Sequence, residues 1–325
     1  MSKPDVLAVA KLHPFFRQAL DEFYTVHDRT HQLDPGAFGA LASRIVAVAA
    51  TGESSVPRAL IEQLPAARIV SVFGVGYDGV DAAAALERGI PVTHTPGVLN
   101  DDVADMAMAL VLGIARRVAE GDRYVRDGRW PEGPLTLGRK VSGARMGIVG
   151  MGRIGQAIAQ RAAAFGMTIA YTARSAKPAL PYTFVPDATA LAGQSDFLVA
   201  ITPGGAGTRH LINAGVLAAL GPRGFLINVA RGSVVDEAAL IEALRAGTIA
   251  GAGLDVFANE PQVPEALRQL PNVLLSPHTA SATAETRQAM ADLAFANLHA
   301  GVHGQPLVTP VPEWMSVHSK QPRSA

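Results

Sequence analysis

Three side chains stand where chemistry could be done, each just past an apolar run of the kind that forms a buried strand. Arg231 follows Phe225-Leu226-Ile227-Asn228-Val229-Ala230, Glu260 follows Leu254-Asp255-Val256-Phe257-Ala258-Asn259, and His278 follows Val273-Leu274-Leu275-Ser276-Pro277. Strand ends of this sort line the crevice of an open α/β sheet, where ligands bind. Taken singly, each has a bland explanation: a surface arginine, a helix-capping acid and a satisfied loop histidine, one of nine in the chain. Taken together, they supply what reduction of a ketone demands. As hydride arrives, the carbonyl oxygen gains negative charge and must be protonated, and a histidinium can give that proton. A carboxylate beside the ring stabilises the cation and fixes its orientation. A guanidinium can grip a substrate carboxylate and polarise the ketone. The hydride itself belongs to a cofactor.

A place for that cofactor lies upstream. The strand-like run Arg145-Met146-Gly147-Ile148-Val149 leads into Gly150-Met151-Gly152-Arg153-Ile154-Gly155, after which Ala157, Ile158, Arg161 and Ala162 recur at helical spacing. Glycine-rich turns also close ordinary strand–helix junctions, but strand, Gly-x-Gly-x-x-Gly and helix in this order form a dinucleotide fingerprint. Gly150 permits the tight turn, Gly152 lets the backbone approach a pyrophosphate, and Gly155 allows close helix–strand packing. The helix N-terminus offers unpaired N–H groups to the phosphates. An NAD site usually places an acid at the end of the next strand, whereas this sequence has Thr172 there and no carboxylate before Asp187. Arg174, Ser175 and Lys177 instead suit a 2′-phosphate. A solvated basic loop is the alternative; losing the acid while gaining the base favours NADP over NAD.

The elements that must position these residues alternate along the chain. Strands are expected over 6–10, 23–26, 44–49, 69–73 and 91–95, then over 145–149, 167–172, 196–201, 224–229, 250–254 and 272–275. Helical patterns separate them, among them 14–22, 57–63 (Ser55 as cap, Pro57 in the first turn) and 236–245. Alternation of this kind means βαβ units and parallel sheets. The stretch Asn100–Arg117 reads as a long interdomain helix, with Asp102 and Asp105 on one face as solvated acids or ion-pair partners. Residues 118–145 read as a polar, glycine-rich connection in which Trp130 is a loop anchor or a contact with a neighbouring subunit. The pattern over 282–301 reads as a helix returning toward the first domain, and the tail after Pro312 reads as loosely ordered. Val75 and Gly76, just past a strand end, form either a plain turn or a cradle of N–H groups for a small anion.

Composition sets outer bounds. The chain has 325 residues, 49% hydrophobic and 17% charged, with 28 basic against 28 acidic side chains and no cysteine. Two domains of ordinary size are expected. Charge balance points to neither nucleic acid nor a membrane surface as partner. Disulfides, thiolate metal sites and a cysteine nucleophile are excluded, and no metal site is expected. With no signal-like or membrane-spanning run, the cytoplasm is the expected location.

In order and spacing, Gly150-Met151-Gly152-Arg153-Ile154-Gly155, Asn228-Val229-Ala230-Arg231-Gly232, Leu254-Asp255-Val256-Phe257, Glu260-Pro261 and Pro277-His278 resemble the D-isomer-specific 2-hydroxyacid dehydrogenases. Val75-Gly76-Tyr77-Asp78 and Asp102-Val103-Ala104-Asp105 extend the resemblance over nearly the whole chain, which looks most like the glyoxylate/hydroxypyruvate reductases using NADPH. The resemblance implies two doubly wound α/β domains: a flavodoxin-like substrate domain of residues 1–98 and 285–325, and a Rossmann cofactor domain of residues 99–284. It implies Arg231 as the group binding and polarising a 2-keto acid, His278 as acid/base, Glu260 as its support, and Val75 and Gly76 as the carboxylate cradle. Thr202, Pro203, Val229, Ala230 and Asp255 match positions on the nicotinamide side, and Thr208, Arg231, His278 and Ser281 join the expected cofactor contacts. Members are usually homodimers, with the helix after the hinge in the interface. The chain departs from many relatives in its glycine-rich loop 203–208 and in Thr279-Ala280-Ser281. The alternatives are phosphoglycerate, D-lactate or formate dehydrogenases of the same fold, and a nucleotide-sensing corepressor-like protein. Formate chemistry needs no proton donor, so the paired Glu260 and His278 favour a keto acid.

Overall fold

Among the described residues the strands pair with one another in parallel and sort into two sheets. The computed structural model describes residues 3–318. The chain divides into one unit formed by residues up to Leu99 together with those from Thr283 onward, and a second formed by Asn100–Ala282.

The first unit holds β1 (Asp5–Ala8), β2 (Thr25–Asp28), β3 (Ile45–Thr51), β4 (Val70–Phe73) and β5 (Val92–Thr93), in the order β2-β1-β3-β4-β5. Every residue of β1 and β4 is buried, as expected of strands with helices on both faces. The helices Pro14–Phe23 and Ala284–Val302 pack on each other, and the second lies on β3 and β4. Within it, fully buried Asn297 accepts from the N–H groups of Val308 and Thr309 (3.1 and 2.9 Å) and donates to Thr309 Oγ1 at 2.7 Å. An amide buried this deep is tolerated because its hydrogen bonds are made, and these tie the C-terminal segment to the unit's core.

The second unit holds β6 (Arg145–Val149), β7 (Thr168–Thr172), β8 (Thr183–Phe184), β9 (Phe197–Ala200), β10 (Phe225–Asn228), β11 (Gly251–Leu254) and β12 (Val273–Leu275), in the order β12-β11-β10-β9-β6-β7-β8. The order turns back between β6 and β9, the topological switch point of a Rossmann sheet. The helix Asn100–Ala115 packs on the helix Arg153–Ala164 and against β10 and β11, and Arg161 bonds to Asp101 and Asp105.

The structure departs from expectation in several places. Residues 118–126 form a helix, followed by a 3-10 turn over Trp130–Glu132. That helix buries no residue: Val118 and Val125 are exposed, and pairs such as Arg126–Asp122 prop it. The helix Arg58–Glu62 starts with Pro57 at its N-cap and no side-chain cap, so Ser55 does not serve there. The tail is ordered at least through the helix Pro312–His318, because Trp314 packs on the first unit's core and Val311 is buried. Residues beyond it lie outside the described part.

Candidate active site

Arg231, Glu260 and His278 leave the carboxyl ends of β10, β11 and β12, three adjacent strands. Among the described residues, His278 is one of four non-glycines with positive φ, at 54°. Such a conformation costs roughly 1–3 kcal/mol and persists only where its surroundings enforce it. Asp255 does so here. Its backbone carbonyl accepts from His278 N at 2.8 Å, and its two carboxylate oxygens accept from Thr279 N and Ala280 N, both at 2.9 Å. Three successive N–H groups converge on one residue, a nest around a carboxylate only 1% exposed. Burial of that charge is offset by the charge-assisted bonds it receives.

The imidazole so presented meets Glu260: Nδ1 lies 2.7 Å from Oε2, while Oε1 accepts from Phe257 N at 2.8 Å. A carboxylate fixed at both oxygens accepts only, so Nδ1 carries a proton and the ring's orientation is set. The two side chains are 29% and 21% exposed, so they stay reachable from solvent. Arg231 is positioned through its backbone. Asn228, at the end of β10, accepts from Ala230 N and donates to the Arg231 carbonyl (3.1 and 3.0 Å). A Cβ on Gly232 would overlap the Phe257–Ala258 peptide, next along the chain from the Phe257 N–H that holds Glu260. The arginine loop and the glutamate loop are therefore seated on each other.

The glycine turn occupies the switch point. Gly150 has φ 110°, and a Cβ there would lie 2.5 Å from the Ile201 carbonyl oxygen and 3.0 Å from Thr202 N. A Cβ on Gly155 would overlap the Gly150 carbonyl oxygen, whereas one on Gly152 would meet nothing within 4 Å. The first two glycines are thus demanded by packing and the third faces open space. Helix Arg153–Ala164 starts at Gly152 with no side-chain cap, so its leading N–H groups have no side-chain acceptor. Thr202 Oγ1 is buried with no hydrogen-bond partner among the described residues. Turn, uncapped helix and orphaned hydroxyl fit a dinucleotide phosphate.

Past β7, the Thr172 hydroxyl donates to the Pro186 carbonyl at 3.3 Å, and Asp187 caps the helix Ala188–Ala192 through Ala190 N at 2.8 Å. Neither offers a carboxylate to a ribose. Arg174, Ser175 and Lys177 are exposed, and among the described residues no ion pair engages either base.

Comparison with known proteins gives this geometry a setting. Residues 108–280 match the family model of the D-isomer specific 2-hydroxyacid dehydrogenase, NAD binding domain. The chain is 47% identical over 307 residues to a hydroxyphenylpyruvate reductase of Plectranthus scutellarioides, covering 94% of this chain and 98% of the relative. It is 49% identical over 267 residues to a glyoxylate/hydroxypyruvate reductase A of Arabidopsis thaliana, covering 82% and 85%. The chain belongs to the D-isomer specific 2-hydroxyacid dehydrogenases. Among solved structures, the NADPH-dependent glyoxylate/hydroxypyruvate reductase of Sinorhizobium meliloti, in complex with NADP and malonate, superposes with a TM-score of 0.90 at 45% identity, covering 96% of this chain and 98% of that one. This dehydrogenase therefore has a nicotinamide-dinucleotide domain and acts on 2-hydroxy acids or the corresponding 2-keto acids.

Other expected site residues of the dehydrogenase fall as follows. Met151, Val229 and Ala230 are buried at strand ends, Arg153 and Pro203 are exposed, and Ile154 and Ser281 are half-buried. The Thr208 hydroxyl donates to the Pro203 carbonyl at 2.7 Å and thus braces its own loop. Asp255, read from sequence as lining the nicotinamide side, spends both carboxylate oxygens on the loop carrying His278. Val75 and Gly76 lie past β4 in the first unit, half-buried. Sequence reasoning missed Asn228 and Gly232 as positioning residues. A polar residue closing an otherwise apolar strand was the available signal for Asn228.

Proposed function

We propose that this dehydrogenase reduces small 2-keto acids, glyoxylate and hydroxypyruvate first, to D-2-hydroxy acids with NADPH. The observation carrying the reading is the 2.7 Å contact between His278 Nδ1 and a Glu260 carboxylate itself held by Phe257 N. With Nδ1 committed to Glu260, Nε2 is the nitrogen that delivers the proton to the ketone oxygen. When bound, the reduced nicotinamide supplies hydride to the carbonyl carbon. Arg231 holds the substrate carboxylate and stabilises charge growing on the oxygen, and the N–H groups of Val75 and Gly76 serve as the first unit's carboxylate cradle. Residues 1–98 with 285–325 serve as the substrate domain and residues 99–284 as the dinucleotide domain. The working form is a cytoplasmic homodimer, with the helix after residue 99 in its interface; among the described residues no helix is long and apolar enough to cross a membrane.

Loss of reduced-nicotinamide absorbance, followed with glyoxylate, hydroxypyruvate, pyruvate and 4-hydroxyphenylpyruvate under NADPH or NADH, tests this. Fast NADPH-dependent turnover of the two smallest acids is expected. Faster turnover of the aromatic acid would reassign the substrate class. Tight nucleotide binding without turnover of any 2-keto acid would overturn the enzyme reading in favour of a nucleotide sensor.

A further inference from the structure

We propose that His94 is a positioning residue of the substrate cradle: it sets the plane of the Val75–Gly76 peptide and thereby aims the cradle's N–H groups. The proposal rests on the reading above that Val75 and Gly76 receive the substrate carboxylate. In a trans peptide, C=O and N–H lie in one plane and point in opposite directions. Fixing a carbonyl therefore fixes the direction of the N–H on the following residue. The carbonyl of Gly74 accepts from Thr95 N at 2.8 Å, which aims Val75 N–H. The carbonyl of Val75 accepts from His94 Nδ1 at 2.8 Å, which aims Gly76 N–H. Two consecutive residues just past β5 thus fix two consecutive peptides of the cradle loop. A carbonyl oxygen cannot donate, so His94 Nδ1 must carry the hydrogen.

His94 is itself held on several sides. Its N–H donates to the Thr309 carbonyl at 3.2 Å, and its carbonyl accepts from Thr309 Oγ1 at 2.6 Å. Buried Asn297 in turn fixes Thr309 by three hydrogen bonds, two to Thr309 itself and one through Val308 N. The Tyr77 ring stands edge-on to the imidazole at 5.3 Å and 86°, and its hydroxyl donates to Glu313 at 3.0 Å. A Cβ on Gly74 would press on the Gly52 backbone at 3.0 Å, so the loop packs closely on the segment just past β3. The chain of contacts runs from a core helix, through the C-terminal segment and one imidazole, to the peptide that meets the substrate.

The test compares wild type with His94→Ala, His94→Asn and Thr309→Val in the full-length enzyme. His94→Ala is expected to raise KM for glyoxylate about tenfold and to weaken inhibition by oxamate equally, since a misaimed donor loses much of a charge-assisted bond. NADPH affinity by fluorescence titration stays unchanged. His94→Asn, whose amide can donate to the same carbonyl, recovers part of the loss. Thr309→Val shifts KM the same way by less, and keeps the question answerable if the alanine variant does not fold. Unchanged KM and oxamate inhibition in folded variants would overturn the proposal, as would parallel losses of NADPH affinity and thermal stability, which mark a general structural role. A wild-type enzyme inert toward every short 2-keto acid would overturn the underlying reading together with this one; an active wild type with unaffected variants would overturn this one alone.

Discussion

Around the strand ends of the first unit the packing is done by rings; around those of the second it is done by glycines and buried carboxylates. In the first, His13 stacks on Phe73 at 5.5 Å, Phe16 stacks on the same ring at 5.9 Å, His31 stands edge-on to Phe38, and His299 bonds to Tyr24 and lies 4.2 Å from His303. In the second, Gly150, Gly155 and Gly232 leave no room for a side chain, and Asp255 and Asp196 each gather several donors. Seven of the nine histidines, all but His210 and His278, belong to the first unit. Both units hold close-packed glycines, Gly79 in the first lying against the Ser54 carbonyl, but the first adds a set of titratable rings. The second design suits a proton donor and a dinucleotide turn, whose geometry must hold within a fraction of an ångström. The first suits a surface that varies with substrate.

The sharpest break of this comparison lies at His278. Its replacement by alanine is expected to lower kcat by about 10²–10⁴-fold while NADPH affinity holds; a kcat near wild type would remove the acid from the second unit. Next comes Gly232→Ala, where the added Cβ meets the Phe257 peptide. Overpacking of this kind costs about 1–3 kcal/mol, so both the urea midpoint and kcat should fall. Gly39→Ala in the first unit, inside the helix Pro35–Leu41 with nothing within 4 Å of its Cβ, should leave both intact or raise stability slightly. Equal tolerance at the two glycines would erase the distinction. Arg174→Ala should raise KM for NADPH roughly 10–100-fold and leave NADH untouched, as loss of a charge-assisted bond predicts.

The smallest effect expected is on stability against pH. Burial lowers the pKa of His13, His31 and His299, with Arg287 adding to the effect on the first and His303 to that on the last. Below about pH 6.5 the unfolded chain takes up these protons before the folded one, so stability present at neutral pH is lost on acidification. The thermal midpoint should drop by a few degrees between pH 7.5 and 5.5, and His31→Phe should lessen the drop. Asp196 behaves otherwise: its bonds to Arg145 and the charge of Arg139 hold its carboxyl below the usual range. Its contribution persists through this window and fades only in stronger acid. A midpoint flat from neutral to pH 5.5 would count against ring packing as the first unit's support.

Much of the second unit was readable from sequence because its signals are local. A glycine turn, the strand before it and three polar residues past apolar runs carry their geometry in adjacent positions, and the helix Glu237–Arg245 fell within a residue of the expected 236–245. What escaped depends on contacts distant in sequence. Asp255 reads as a pocket residue until its carboxylate is seen to receive two N–H groups from more than twenty residues away. His94 sits beside a proline-glycine turn like any polar residue, and only its bond to the Val75 carbonyl gives it a purpose. The helix Pro312–His318 likewise depends on contacts distant in sequence, with Trp314 packed on the first unit's core.

The C-terminal return has a consequence for how the molecule is made. Strands β1 to β5 emerge first from a ribosome, yet the core they build includes Val311 and is braced by the helix Ala284–Val302. The second unit is contiguous, complete once Ala282 has been synthesised. Domains usually fold in the order in which they are translated; here the order inverts. The second unit can settle while the first ninety-nine residues still wait, half-assembled, for their last helix. A slow stretch of translation just past residue 282 would help the one unit and prolong the exposure of the other.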